Sequence, residues 1–493
     1  MSLEYLIAKN NSRTCLYSNV HLHSAYNPEN ESHRFVENIQ IDYIPENIII
    51  IEPALAYCNQ FLKEKFPNSK LYAIRFLDKI NSIGKFEKEF FYTNSQNLKN
   101  ELYNFFGEEK LLNSLFISWP PAIKAFPEKD KEVWTTLQKL LKESQSILAT
   151  RQFFSKRWIK NQIIFFTNLT KITNLKKIDL PILICASGPS LNDSLSFIKQ
   201  YQNNFFIICC SSAIKSLINN SITPDFCIST DGGFWAKTHL KVLLKKNNIP
   251  LAISPESNIY SKVFKSNTII PLQYTDSLTN DLFLKLNIDY NLCKRNGTIS
   301  GTTVDLANSL TTENIYLCGI DLESSSGFCH TQPNELETNN SIYDNKLNTK
   351  EKRIFMQSRD SIQLEIYRNW FINNSYLFAN KVFRISKEKK FKHSLNQIKD
   401  ITWNELLSQN TILKKIKTNN FFTEKKEIKP NKKIIKDFFE KKLSQIEFIK
   451  EYYPADLIMI NRSKGEQKIK YEQILQNKID EIKKYLYKIT KEN

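Results

Sequence analysis

Glycine is scarce in this chain, with ten among its 493 residues. Glycine permits tight turns and close approaches of the backbone, so its positions indicate where a functional site is to be sought. Seven of the ten fall within one central stretch, namely Gly188, Gly232, Gly233, Gly297, Gly301, Gly319 and Gly327. We therefore expect the site in the middle of the chain.

Paired cysteines are also missing, because none of the nine cysteines belongs to a CxxC motif. Cys185, Cys209, Cys210 and Cys318 lie inside apolar runs that are typical of buried strands. This usage predicts reduced, buried thiols of a cytoplasmic protein and not a disulfide framework.

Long apolar runs are absent as well. No run approaches the roughly 20 residues that are needed to cross a bilayer. The N-terminus, "MSLEYLIAKNNSRTCLYSNV", lacks the basic region and apolar core of a secretory signal. The sequence thus predicts neither a membrane span nor a secreted protein.

The net charge of +18 comes from 69 Lys and Arg residues against 51 Asp and Glu residues. Nucleic-acid binding is one explanation of such an excess. The basic residues are mostly lysines scattered among Asn and Ile, which is typical of an AT-rich genome, so we predict no nucleic-acid partner. A positive surface would still help to attract anionic partners.

Length and composition predict several folded domains. A chain of 493 residues is too long for one ordinary core, and 41% hydrophobic residues suffice for more than one. The segment 48–76 reads as a strand, an amphipathic helix and a second strand. We predict an N-terminal α/β domain (1–110), a helical connector (111–175), a central domain (176–345) and a C-terminal helical domain (346–493).

The central domain alternates apolar strands with helices. Strands are predicted at 182–186, 205–211, 225–230, 250–255, 268–273 and 315–321, and helices near 191–200, 234–246 and 302–311. Strands that are apolar throughout indicate a parallel sheet covered on both faces, so the predicted fold is α/β with a Rossmann-like, doubly wound, mostly parallel sheet. The tail at 430–491 has helical spacing and predicts a packed helical hairpin.

The stretch "ILICASGPSLNDSL" places Ser187, Gly188, Pro189 and Ser190 between the first central strand and its helix, with Asn192 as the expected helix cap. In such sheets, ligands bind beyond the carboxyl ends of the strands, and helix N-termini suit phosphate. The alternative is an ordinary turn. The motif is neither GxGxxG nor a P-loop with its lysine, so neither a dinucleotide nor ATP is indicated.

Other predicted strand ends carry polar residues too. Ser211 follows the second strand, and Thr230, Asp231 and Gly232 follow the third. Asp231 reads as an exposed carboxylate at a sharp turn, which could touch a divalent ion; the alternative is a helix-capping Asp. No cluster has the spacing of metal ligands, so no metal site is predicted.

Two further segments complete the candidate site. Ser300, Gly301 and Thr302 precede or open a helix and form a second cradle for phosphate or ribose. Gly319 and Asp321 end the strand "IYLCGID", and a serine-rich loop leads from there to His330. A lone histidine is usually structural. His330 follows a polar strand end, whereas His239 lies within a helical segment, so His330 is the candidate functional histidine.

Taken in order, four segments resemble the central domain of the motility accessory factor (Maf) glycosyltransferases: "ICASGPSLNDSL", "TPDFCISTDGGFW", "NGTISGTTVDLANSL" and "ENIYLCGIDLESSSGFCHT". The resemblance covers about 160–340, and more loosely the opening "HSAYNPENESHRF" and a helical C-terminus. The same pattern occurs more remotely in bacterial sialyltransferases that use CMP-sialic acid, and in a 6-hydroxymethylpterin pyrophosphokinase-like group.

Three departures from these families stand out. The turn after the N-terminal strand reads Glu52-Pro53-Ala54-Leu55 where the family tends to have glycines, so we expect no nucleotide in that domain. The sialyltransferases have Asn-Gly-Pro-Ser in the first central turn, and this chain has Ser187 in place of the Asn. They also place Asn after the next two strands, where this chain has Ser211 and Thr230-Asp231.

The resemblance implies transfer of a nonulosonic acid, such as pseudaminic acid, from a CMP-activated donor to Ser or Thr of flagellin. It implies that Gly188, Pro189 and Ser190 hold the nucleotide phosphate and that Ser300 and Gly301 contact the donor's sugar or carboxylate. Asp321 matches the sialyltransferases' Gly-Ile-Asp, and His330 is the candidate general base. Catalysis is expected without a metal or other cofactor, and the N-terminal domain and helical tail would recognise flagellin.

Two other functions are compatible with the same residues. A pterin pyrophosphokinase-like enzyme would need ATP and Mg²⁺, and the sequence shows no Walker-type lysine or paired carboxylates. A non-catalytic flagellin-binding assembly factor would keep the fold without the activity.

Overall fold

A computed structural model describes residues 3–78, 80–246, 248–323, 327–357, 362–388, 391–408, 416–417 and 421–491. Within these residues, no helix is both long and apolar enough to cross a membrane. The chain forms two compact units: residues 1–155 with 444–480, and residues 156–443 with 481–493.

The strands are numbered in chain order. They are β1 (Leu3–Ile7), β2 (Arg13–Tyr17), β3 (Val20–His21), β4 (Asn47–Ile51), β5 (Lys70–Arg75), β6 (Lys88–Phe91), β7 (Ser114–Ser118), β8 (Lys171–Ile172), β9 (Ile182–Cys185), β10 (Phe206–Cys210), β11 (Phe226–Ser229), β12 (Leu251–Ile253), β13 (Ile269–Tyr274), β14 (Asn291–Cys293), β15 (Ile315–Cys318), β16 (Val382–Ser386), β17 (Lys399–Thr402) and β18 (Lys426–Glu427).

The helices follow the same convention. They are α1 (Pro28–Glu37), α2 (Cys58–Lys65), α3 (Ser95–Leu112), α4 (Pro120–Ala125), α5 (Pro127–Asn168), α6 (Ser190–Tyr201), α7 (Ile214–Asn219), α8 (Ala236–His239), α9 (Ser261–Ser266), α10 (Asn280–Lys285), α11 (Ile299–Leu310), α12 (Glu335–Asn340), α13 (Lys350–Gln357), α14 (Ile362–Asn374), α15 (Trp403–Ser408), α16 (Lys432–Lys442), α17 (Ile446–Tyr452), α18 (Pro454–Arg462) and α19 (Gly465–Lys491).

The first unit contains two sheets. Strands β1, β2 and β3 form an antiparallel meander, and four parallel strands follow the order β6-β5-β4-β7. All five residues of β4 are buried, as expected for a strand that is covered on both faces. The predicted strand–helix–strand unit is confirmed as β4, α2 and β5.

The second unit is built on one large sheet with the order β17-β16-β15-β9-β10-β11-β12-β13-β8-β18, and β14 also pairs with β13. Its pairs are parallel except for β18 against β8. The apolar runs of β9, β10 and β11 are fully buried, because helices cover both faces. The predicted α/β class with a doubly wound, mostly parallel sheet is confirmed.

The sheet also reaches beyond residue 345, where the sequence predicted only helices. Strand β16 pairs with β15, and β17 pairs with β16. The prediction is wrong for these two strands because β16 does not read as apolar: it carries the buried Arg384, whose guanidinium pairs with Asp400 on β17 at 2.7 Å. The segment from 432 to 491 is helical as expected, but it forms four helices, α16 to α19, and not the predicted hairpin, because new helices begin at Pro454 and Gly465.

Two other predictions need correction. The connector at 111–175 is not purely helical, since the short strands β7 and β8 lie within it. The helix expected at 234–246 consists of the short α8 followed by a 3-10 helix at Leu240–Leu244. All nine cysteines are free and eight of them are buried, Cys185, Cys209, Cys210 and Cys318 among them as predicted.

Candidate active site

The site lies where the strand order of the large sheet reverses. From β9 the chain proceeds through β10 to β13 on one side and then places β15, β16 and β17 on the other. In open α/β sheets, ligands bind outside the carboxyl ends of the strands at such a switch point. The carboxyl ends of β9 and β15 therefore define the expected crevice.

Two glycines let the turns after β9 and β15 touch. The amide of Gly188 donates to the carbonyl of Gly319 at 2.7 Å, and a Cβ on Gly188 would lie 2.5 Å from that oxygen. Gly319 has φ +71°, and its Cβ would lie 2.2 Å from the carbonyl oxygen of Ala186. Glycine is thus required at 188 for close approach, and at 319 for both conformation and space.

Asp321 closes the N-terminus of α6. Its carboxylate accepts a 2.8 Å hydrogen bond from the Ser190 amide and a second, short one from the Ser190 hydroxyl. Burial raises the pKa of Asp321, and the hydrogen bonds from Ser190 oppose that shift. Both hydrogen-bond donors of Ser190 are therefore satisfied within the protein. This weakens the prediction that Ser190 holds phosphate.

Asn192 does not cap α6, contrary to expectation, because the helix already begins at Ser190. Its side-chain oxygen instead accepts from the Thr331 hydroxyl at 2.5 Å and from the Gln332 amide at 3.1 Å. The Thr331 amide also donates to the carbonyl of Ser187 at 2.7 Å. These bonds fasten the residues after His330 to the first turn.

His330 is partly buried beside a small cavity of about 100 Å³. Its Nδ1 lies 3.2 Å from the Cys329 sulfur. Burial lowers the pKa of His330, while the negative charge of Glu337 opposes this. The imidazole of His239 is close enough for His330 to act on it electrostatically, and burial together with His330 lowers the pKa of His239 to about 4.

Asp231 is exposed after β11, as predicted. Its carboxylate accepts from the Gly233 amide at 2.7 Å, so it stabilises the turn and does not cap α8, which begins at Ala236. A Cβ on Gly232 would lie 2.4 Å from Trp158. Thr230 is partly exposed beside Asp231.

The start of α11 is a capped helix terminus. The hydroxyl of Thr298 accepts from the Gly301 amide at 2.8 Å, and Ser300 is partly exposed in the first turn. A Cβ on Gly301 would meet Trp370 at 3.1 Å. Thr302 is buried, and its hydroxyl donates to the carbonyl of Lys294 at 3.2 Å, so this hydroxyl is already committed.

The serines after β10 differ in what they contact. Ser212 donates to the Ser187 hydroxyl at 2.8 Å, which links the first two turns. Ser211 is 1% exposed, and its hydroxyl has no hydrogen-bond partner among the described residues. The predicted donor-side residues therefore share the carboxyl edge of the sheet, but several of them serve as turn contacts.

Sequence analysis missed the residues that α14 brings to this edge. Tyr367 lies near Asp231, whose charge adds to burial in raising the pKa of the phenol. Arg368 donates to the carbonyl of Leu322 at 3.0 Å, and Trp370 packs beside Gly301. Only the helical spacing of "IQLEIYRNWFINN" was visible in the sequence, because no local pattern tells a helix which strand ends it will cover.

A second missed group lies at the ends of β12, β13 and β14. The buried Glu256 forms a bidentate ion pair with Arg295 at 2.7 and 3.1 Å. The Arg295 guanidinium lies 4.7 Å from the ring centre of Tyr274 and 5.6 Å from that of Trp158. Within the described ranges, no group of three His, Cys, Asp or Glu side chains could hold a metal ion.

The fold and its switch-point crevice define a doubly wound α/β protein. Residues 156–327 match the family model described as 6-hydroxymethylpterin diphosphokinase MptE-like. The central region is thus an MptE-like domain, as the motifs predicted.

Two proteins are similar to this chain over longer stretches. The structure of a Maf glycosyltransferase from Magnetospirillum magneticum AMB-1 superposes with a TM-score of 0.59 at 9% identity, covering 99% of this chain and 90% of that one. This likeness shows that the Maf fold extends over nearly the whole chain. An uncharacterized protein of Treponema pallidum (strain Nichols) is 28% identical over 300 residues, which span 60% of this chain and 65% of the treponemal protein.

Proposed function

We propose that this protein is a glycosyltransferase that moves a nonulosonic acid from a CMP-activated donor to Ser or Thr of flagellin. The observation that supports it most is the attachment of the His330 segment to the switch-point turn. Thr331 and Gln332 hold Asn192 and Ser187 through three hydrogen bonds of 2.5 to 3.1 Å. A proton acceptor is thereby fixed beside the crevice where a nucleotide sugar would bind.

In this proposal His330 is the general base. Because its pKa is lowered, the imidazole is neutral near pH 7 and can take a proton. A proton on Nδ1 would point to the sulfur of Cys329, which leaves Nε2 as the acceptor. Transfer of the acceptor hydroxyl's proton to such a base contributes a factor of about 10²–10⁴ to the rate.

The bond changes are those of a substitution at the donor's anomeric carbon. The bond from this carbon to the phosphate oxygen breaks, and CMP leaves with the electron pair. The acceptor oxygen forms the new bond and its proton passes to His330. The N-terminus of α11, at Ser300, would stabilise the charge that develops on CMP, and the exposed Asp231 is the second proposed catalytic residue.

The direct test is the intact mass of flagellin that is co-expressed with this chain and a nonulosonic acid pathway. We expect mass increments of whole nonulosonic acid units with the wild-type chain and none with His330→Ala. Unmodified flagellin in the presence of folded wild-type protein would contradict the proposal.

The matched family model favours a second candidate, a 6-hydroxymethylpterin diphosphokinase-like activity that uses ATP. Isothermal titration separates the two: CMP binding is expected for the glycosyltransferase, and binding of ATP with Mg²⁺ but not CMP for the diphosphokinase. Flagellin binding without affinity for either nucleotide would indicate a non-catalytic assembly factor instead.

A further inference from the structure

Helix α14 carries an arginine to the turn that follows β15. The Nη1 of Arg368 donates to the carbonyl of Leu322 at 3.0 Å, and Leu322 directly follows Asp321. Tyr367 near Asp231 and Trp370 beside Gly301 place the same helix against the turn after β11 and the start of α11. The guanidinium of Arg368 therefore lies at the switch point itself.

Arg368 differs from the other arginines whose contacts are known in this unit. Arg295, Arg353 and Arg384 each pair with a carboxylate, on Glu256, Asp344 and Asp400 respectively. In the part of the chain that the structure describes, Arg368 has its bond to the Leu322 carbonyl and no carboxylate partner. A guanidinium has five N–H donors, so most of its hydrogen-bonding capacity remains for a ligand.

The adjacent helix terminus cannot supply those donors. The Ser190 amide is bound to Asp321, and the amides of Leu191 and Asn192 donate to the carbonyls of Gly188 and Pro189, both at 3.0 Å. Residue 189 is a proline and has no N–H. An anion beside the start of α6 therefore needs a side-chain donor, and arginine binds phosphate and carboxylate oxygens in pairs.

We propose that Arg368 binds an oxyanion of the activated donor, either the phosphate of its nucleotide or the carboxylate of its sugar. This inference rests on the proposed function and assigns the anion recognition there to α14 in place of the α6 terminus. Tyr367 and Trp370 act on Arg368 only by fixing the position of α14.

The test titrates the full-length protein with CMP, cytidine and a free nonulosonic acid. Charge-assisted hydrogen bonds of this kind contribute about 10- to 100-fold in affinity. If Arg368 binds the phosphate, Arg368→Gln weakens CMP binding by that factor and leaves cytidine binding unchanged. If it binds the carboxylate, the same variant weakens only the free sugar acid. Arg368→Lys, which keeps the charge, should lose less affinity in either case.

Lys426→Gln on β18 is the matched control, because it removes one positive charge from a side chain that is 40% exposed and should leave all three affinities unchanged. If Arg368→Gln does not fold, the wild-type protein is labelled with phenylglyoxal instead. Bound CMP or bound sugar acid should then protect Arg368 from labelling. Wild-type affinities in a folded Arg368→Gln, or labelling of Arg368 that no probe reduces, would overturn this inference alone. Wild-type protein that binds no probe would overturn the proposed function as well.

Discussion

The two mainly parallel sheets of this protein differ in what occupies their switch points: large side chains in the first unit and glycines in the second. In the first unit, β4 has β5 on one side and β7 on the other, and the buried ring of Trp119 follows β7. Its indole N–H donates to the carbonyl of Leu22 at 2.7 Å, and its ring centre lies 5.0 Å from that of the buried His23. In the second unit, small residues at Gly188 and Gly319 occupy the equivalent place.

The edge of the first sheet also holds a buried carboxylate. The carboxylate of Glu52, after β4, is fully buried and accepts from Arg75 at 3.2 Å and from the Phe76 amide at 2.6 Å. Glu52 and Ala54 have φ values of +41° and +48°, which non-glycine residues rarely adopt. This edge is closed by its own side chains, and the absence of a nucleotide site there stays a prediction. Parallel topology alone therefore does not make a binding site, because the residues at the strand ends determine whether a ligand can enter.

His330→Ala tests the second edge and has the largest expected effect. We expect the rate of flagellin modification to fall by about 10²–10⁴, since the general base is lost. The control is Lys426→Gln on β18, which lies outside the proposed site and should leave the rate unchanged. Turnover within a few-fold of wild type in a folded His330→Ala protein would refute the assignment of the base.

Trp119→Ala tests the first edge. Removing a buried aromatic side chain leaves a cavity and typically costs about 3–5 kcal/mol, so we expect the urea unfolding of this unit to shift to lower concentration. CMP should still bind once per chain with unchanged affinity, because the site lies at the other edge. Trp119→Phe serves as the milder control. Binding of a second CMP equivalent, or a loss of CMP affinity without a loss of stability, would contradict the placement of the site at the second edge.

A comparison of Gly319→Ala with Gly297→Ala tests whether the turns after β9 and β15 must approach each other closely. Both glycines have φ near +70°, but only Gly319 is crowded, since nothing lies within 4 Å of a Cβ at Gly297. The left-handed conformation costs each variant about 1–2 kcal/mol, and the clash with Ala186 adds to this at Gly319 alone. Thermal unfolding should therefore show the larger loss for Gly319→Ala. Equal losses would mean that the turns need not touch.

Glu337→Gln should give the smallest effect. The negative charge of Glu337 raises the pKa of His330 against the lowering by burial, so its removal lowers that pKa further. A base is active when deprotonated, and the acid limb of kcat/KM should accordingly move to lower pH. A limb that stays in place or moves to higher pH would contradict the role of His330. Glu335→Gln, on the same helix, is the control.

The strands of the central sheet were predictable because each is a short apolar run with its own turn signals. Gly188 and Gly319 were also visible, although the sequence suggested a tight turn at 188 where the structure shows a close approach. The contact of Ser190 with Asp321 spans 131 positions, and the one of Arg368 with Leu322 spans 46. Such pairings depend on strand order, which no local pattern encodes. Strand β16 escaped prediction because its arginine is neutralised by a neighbouring strand.

The central claim is that the donor binds at the β9/β15 edge and not at the β4/β7 edge. Hydrogen–deuterium exchange of the full chain, with and without CMP, tests it most directly, since amides that contact or surround a ligand exchange more slowly. The account predicts slower exchange at 187–192 and 319–322 and no change at 52–56. Protection at 52–56, or none at 187–192 when CMP is bound, would contradict it.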